Sequence, residues 1–343
     1  MAEIKRQTEL DILRLLATLA VIMIHGGLNP LTDNLIIKYM YRGMHAAIVW
    51  CVPVFFMISG RFFLDPERDV STKKILTVYL PHIIVPFLVW SGVYTAYGLI
   101  SGSYSHLSTF GIIAEFIHGP YHLWFLYSLA GLYLLTPILR KAAADGKTLA
   151  YFLIMFAAVN VVTQYLIYVP KIGGMISDFI ERTGLRAVTG YMGYFMLGYF
   201  LYSKKDNMSK KTETAIYVIG ILMLIATIAA ECFISEELRK TDFVKQYMKP
   251  NVILYSAAIY TFFVMKMSKI HYNERTRKGF AVFTECGFGV YCIHAILNEF
   301  VPTPVIKSLP FITSLLRVAC LYALSLALTW LIRKIPFVGK KIT

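Results

Sequence analysis

Ten blocks of apolar residues recur along the chain, each near the length a helix needs to cross the hydrocarbon core of a bilayer. They lie at approximately 10–27, 46–63, 75–100, 119–139, 148–168, 187–202, 212–233, 250–266, 281–300 and 311–332. The pattern predicts an all-α polytopic membrane protein, a single bundle of about ten transmembrane helices. Composition agrees: 57% of the residues are hydrophobic, only 16% are charged, and the mean hydropathy is +0.60. A soluble chain of this size carries about a quarter charged residues. The first block is read as a retained span, because no small-x-small cleavage site follows it and it carries charge.

A net charge of +14 raises the question of nucleic acid. Position answers it. The alternate loops and termini that share one side hold 22 of the 34 Lys and Arg residues, among them Lys5, Arg6, Arg61, Arg68, Arg140, Lys205, Lys266 and Lys269. The opposite side holds ten, and its 101–118 loop holds none. The positive-inside rule places both termini in the cytoplasm. The basic charge is topological, with a capacity to hold anionic lipid headgroups, and is not a nucleic-acid stripe. The five cysteines include no CxxC and no metal-ligand spacing, so packed thiols and no metal are expected.

No loop is long enough to fold alone, and no repeat or low-complexity tail is evident, so residues 1–343 are read as one domain. Pro53, Pro81, Pro86 and Pro137 fall within apolar blocks and predict kinks that can open a cavity.

The opening block, LDILRLLATLAVIMIHG, carries Asp11, Arg14 and His25. Ionisable groups at membrane depth are expensive and mark function by default. On a helix, Arg14 and His25 point within about 20° of each other and lie about 16 Å apart along the axis, with Asp11 about 40° from the His25 direction. The three form one stripe that crosses most of the membrane. A plainer reading also holds for each: Asp11 and Arg14 as an i, i+3 ion pair, and His25 as a histidine solvated at a helix end. Other blocks bring polar residues to the depth of His25. These are Tyr121, His122 and Trp124 at the start of the fourth, His294 with Glu299 in the ninth, and Arg317 in the tenth. Aromatic belts account for Tyr121 and Trp124 but not for two deep histidines and an arginine. Ser59 and Gly60 ahead of Arg61 predict a close helix contact, and Asn160 and Gln164 predict hydrogen bonds between helices.

With these residues the chain resembles the acyltransferase-3 family of integral membrane acyltransferases, which acylate surface glycans from cytoplasmic acyl-CoA. The resemblance is carried by LDILRLLATLAVIMIH, VPVFFMISGRFF, HLWFLYSLAGLYLLTPILR and GFGVYCIHAIL, in order along the whole chain. It implies that Arg14 and His25 are the family's essential arginine and histidine. One departure stands out. Where many relatives carry Arg-x-x-Arg entering the third span, YLPHIIVP has Tyr79 and His82, with Lys73 and Lys74 upstream.

The resemblance implies an O-acetyltransferase-like enzyme of the bacterial cytoplasmic (inner) membrane. It binds no cofactor and uses acetyl-CoA or another acyl-CoA as co-substrate, for polysaccharide modification. Imidazole suits removal of a hydroxyl proton near neutral pH, so His25 is the candidate base or transient acyl carrier. Arg14, helped by Arg61, Lys73 and Lys74, would hold a CoA phosphate. Asp11, His122, Trp124, His294 and Arg317 would shape the acceptor side, a glycan or lipid-linked saccharide. A multi-span transporter or flippase is the rival, since intramembrane charge and broken helices suit a carrier too. A membrane sensor is a third reading.

Overall fold

The computed structural model describes residues 6–27, 34–234, 244–302 and 310–343. Among them all regular structure is helical: α1 (Thr8–Gly26), α2 (Leu35–Ile48), α3 (Cys51–Phe63), α4 (Thr72–Ile100), α5 (Thr109–His118), α6 (Trp124–Ala144) and α7 (Gly146–Gln164). There follow α8 (Gly173–Arg182), α9 (Tyr191–Lys204), α10 (Lys210–Phe233), α11 (Pro250–Met265), α12 (Glu274–Phe300), α13 (Pro310–Arg333) and α14 (Gly339–Ile342). Lys5, assigned to the cytoplasmic side, lies outside the described residues.

Every predicted block falls on a helix, and eight helical stretches are long and apolar enough to cross a membrane. The chain is therefore a polytopic helical membrane protein. The other two blocks explain the difference from ten: α1 carries Glu9, Asp11 and Arg14, and α9 has only 14 residues. Four elements went unpredicted, among them the short α14 after the last block. The second block extends back to Leu35, because Asn34 caps α2 by accepting from the Ile36 and Ile37 amides. Short α5 and α8 occupy segments read as loops.

Exposed apolar side chains confirm what the helices face. Val218, Ile219, Ile221, Leu222 and Ile225 on α10, and Ile84, Val85, Leu88 and Val89 on α4, lie on the surface. Patches of that kind are a liability in water and the ordinary condition in lipid.

Contacts group the chain into two compact units: Met1–Arg68 with Ile138–Ala281, and Asp69–Pro137 with Val282–Thr343. In the first, α3 lies along α9, α10 packs on α2 and α11, and α1 packs on α3 and α11. The α3–α9 contact is backbone to backbone: a Cβ on Gly60 would stand 1.8 Å from the Phe195 carbonyl oxygen, and one on Gly198 would stand 2.1 Å from that of Met57. That is the close contact expected at Ser59–Gly60. Asn160 differs from expectation, because its amide turns back to the Phe156 carbonyl of its own helix, 2.8 Å away. In the second unit, α4 packs on α5 and α14. A widened turn over Ile75–Tyr79, closed by Leu80 N–H to the Ile75 carbonyl, precedes Pro81.

Candidate functional site

In the first unit the structure gathers guanidinium groups at the Arg14 end of α1. The Phe62 ring carries Arg68 at 4.2 Å, Arg14 at 5.0 Å and Arg61 at 5.6 Å from its centre. Arg14 and Arg61, singled out in the sequence as anion clamps, thus meet around one aromatic ring. Arg68 is a third member that sequence reasoning placed only by topology. Two carboxylates hold the cluster. Asp11, 3% exposed, accepts from Arg14 at 3.0 Å and from Arg6 at 2.6 Å. Asp65 pairs with Arg61 at 2.5 Å and lies 3.9 Å from Arg68, while Arg140 donates to the Phe63, Asp65 and Arg68 carbonyls. Asp11 is therefore a residue that positions two arginines. Arg61 is buried, with its guanidinium 3.4 Å from the centre of the Tyr202 ring. Its Nε and the hydroxyl of fully buried Tyr260 have no hydrogen-bond partner among the described residues.

α1 is unbroken from Thr8 to Gly26, so Arg14 and His25 are separated by the ~16 Å that helix rise dictates. At the His25 end the neighbouring Ile24 packs on the Val49, Val252 and Tyr255 cluster together with Trp50 and Tyr247. Val49 and Tyr247 also line a cavity of about 330 Å³ with His45, Gln164, Tyr191 and Gln246. The 244–250 segment is pinned beside it. Lys245 pairs with buried Glu231 at 3.0 Å, Lys249 donates to the Gln164 carbonyl at 2.5 Å, and the Tyr194 hydroxyl donates to the Tyr247 carbonyl.

The second unit brings two predicted histidines together. His122 and His294 are both buried, with ring centres 5.1 Å apart in an edge-to-face arrangement. Tyr94, Tyr121 and Tyr291 surround His122 at 5.2, 5.3 and 5.6 Å. Tyr94 ties α4 to α12, donating to the Cys292 carbonyl at 2.9 Å and accepting from the Ile296 amide at 2.9 Å. His294 Nδ1 lies 2.6 Å from the Tyr291 carbonyl. Trp124 joins this group at one remove, edge-on to Phe125, which in turn packs edge-on to Tyr291. Arg317 does something different. It donates to the Asn298 carbonyl at 3.1 Å and approaches that of Val301 at 3.4 Å, so it caps the C-terminal end of the helix that carries His294.

Lys73 is exposed, and Lys74 pairs with Asp69 at 2.5 Å. Tyr79 lies in the widened turn of α4 and His82 just past it, with His82 Nδ1 2.5 Å from the Val78 carbonyl.

No curated protein and no solved structure matches the chain. A family model described as an acyltransferase domain does match, over residues 7–334. That stretch takes in α1 with Arg14 and His25, the arginines on Phe62 and the His122–His294 pair. A multi-pass helical membrane protein matched over nearly its whole length is placed by that match: the chain belongs to the acyltransferase-3 family and is a membrane acyltransferase.

Proposed function

We propose that the protein moves an acyl group, acetyl in the first instance, from cytoplasmic acyl-CoA to a hydroxyl of a cell-surface or lipid-linked glycan, working in the bacterial inner membrane. The observation that carries this reading is the single helix that bears a guanidinium cluster at one end and a histidine at the other. An extended pantetheine arm is of the same order as the ~16 Å between them, computed from helix rise.

The chemistry follows from the parts. Arginines suit a phosphate anchor because a guanidinium donates in a planar fork and never deprotonates. His25 takes the proton of the acceptor hydroxyl as that oxygen attacks the thioester carbonyl. The C–S bond then breaks, and the CoA thiolate takes up the proton. The pinned 244–250 segment, which contains Gln246 and has Tyr191 beside it, offers aromatic faces and amides of the kind that suit a sugar.

Mass spectrometry of surface glycans from cells with and without the gene tests the reading, the added mass naming the acyl group. Loss of that mass in His25→Ala and Arg14→Ala strains, with the protein still accumulating in the membrane, is the expected result. A His25→Ala strain that keeps its glycan acylation refutes the catalytic assignment.

A further inference from the structure

The first unit contains a second polar cavity, of about 960 Å³, at the upper end of the range for small-molecule sites. It opens among the start of α1, the end of α9, the start of α10 and the segment joining α11 to α12. Six cations line it: Arg6, Lys205, Lys210, Lys266, Lys269 and Arg277. The acids on its wall are Glu9, Asp206 and Glu213, and Glu213 is taken by Lys266 at 2.6 Å. Lys205, Lys210, Lys269 and Arg277 form no ion pair among the described residues. A cavity of this size with such an excess of positive charge is built for a ligand carrying several negative charges.

Its wall joins the arginine cluster. The Tyr202 ring has Arg61 3.4 Å from its centre and Lys205 at 4.3 Å, while the Gln7 side chain donates to its hydroxyl at 2.7 Å. Gln7 and Lys205 line the cavity, and Arg61 shares the Phe62 ring with Arg14. Tyr217 and Tyr272 supply aromatic surface beside the lysines. Phosphates alone have no use for such surface, whereas a purine base stacks on it.

We infer that this cavity holds the 3′-phosphorylated adenosine diphosphate end of the acyl donor, with Lys205, Lys269 and Arg277 on its phosphates. The inference rests on the acyl-CoA reading above and adds to it. It makes the 3′-phosphate, rather than the pantetheine arm alone, the handle by which the donor is selected, and so favours CoA over donors carried on phosphopantetheine. An anionic lipid headgroup offers the same phosphate chemistry, and the test separates the two.

The full-length protein in phosphatidylcholine nanodiscs is titrated with CoA, 3′-dephospho-CoA and pantetheine, with thermal stabilisation and calorimetry as readouts. The wild type is expected to bind CoA about tenfold or more tightly than 3′-dephospho-CoA, with a preference that shrinks as salt rises. Lys269→Gln/Arg277→Gln is expected to weaken CoA about tenfold and erase the preference. Lys278→Gln, at an exposed position paired with Glu274 outside the cavity, is expected to change neither. An unliganded melting temperature equal to wild type shows that the double variant is folded. A wild type that binds CoA, with a double variant that binds it equally well and keeps the preference, overturns the placement alone. In a second set of nanodiscs containing phosphatidylglycerol, loss of retention of that lipid by the double variant with CoA binding unchanged also overturns it, in favour of a lipid site. A wild type that binds no CoA overturns the donor reading itself.

Discussion

Gly60→Ala tests whether the α3–α9 contact sets the position of the arginine cluster. A methyl group there would meet the Phe195 carbonyl oxygen at 1.8 Å, its carbon at 2.6 Å and the Cα at 2.9 Å. All three are backbone atoms, so no side chain can swing aside. Ordinary contact begins near 3.4 Å, and the helices must therefore part locally by about 1.5 Å. Overpacked cores lose about 1–3 kcal/mol when side chains can adjust. Here Gly198 seats against the Met57 backbone on the facing helix, so the contact is locked from both sides and the upper end applies. A loss of about 3 kcal/mol is some 150-fold in the folded ratio. Arg61 is the next residue along, and its stacking on Tyr202 depends on the same helix pair. The variant is thus expected to melt earlier in detergent and, where folded, to show a raised KM for acyl-CoA. Gly131→Ala and Gly287→Ala are the controls, since a Cβ at either meets nothing within 4 Å. Each is expected to be neutral, or stabilising by up to ~1 kcal/mol from helix propensity. A Gly60→Ala protein with wild-type melting and abundance refutes the reasoning.

Asp11→Asn keeps the shape of the side chain but removes the negative charge that pairs with both Arg6 and Arg14. A cost of about 2 kcal/mol is expected, moderated by the partial exposure of both arginines. Acyl-CoA KM should rise more than kcat falls in steady-state kinetics. Tyr94→Phe deletes one hydroxyl that makes two hydrogen bonds to α12, for about 2 kcal/mol of stability, read by chemical unfolding in micelles. Lys249, just ahead of α11, is held down to about 8 by burial. Since its folded value lies below the unfolded one, the unfolded state binds more protons between them. Stability relative to Lys249→Met therefore rises with pH from about 8 and levels off near the unfolded value of 10.5. Paired melting curves across that range check the sign.

The helical blocks were legible because a bilayer demands one length and one polarity of every helix that crosses it. The exceptions fail on the same terms: charge in α1 and brevity in α9. Arg14 and Arg61 stood out as ionisable residues where apolar ones are expected, and His122 and His294 stood out as deep imidazoles. Their neighbours gave no such signal. Tyr94 and Tyr291 are ordinary residues in a chain with 23 tyrosines, and only packing sets them around His122. Arg317 was conspicuous in the sequence yet serves as a helix cap, because a guanidinium at membrane depth can be satisfied by carbonyls at a helix end as well as by a ligand. The cavity cations were hidden for a different reason. Lys205, Lys266, Lys269 and Arg277 fall in segments where the positive-inside rule already expects cations, so their presence carried no surplus information. Orientation in the membrane fixes only how many basic residues a side must hold, not where they converge. Convergence around 960 Å³, with Lys205, Lys210, Lys269 and Arg277 outside any ion pair among the described residues, is what topology alone does not require. A charge bias needed for insertion can thus be gathered, at no further cost in membrane burial, into a site for an anionic donor.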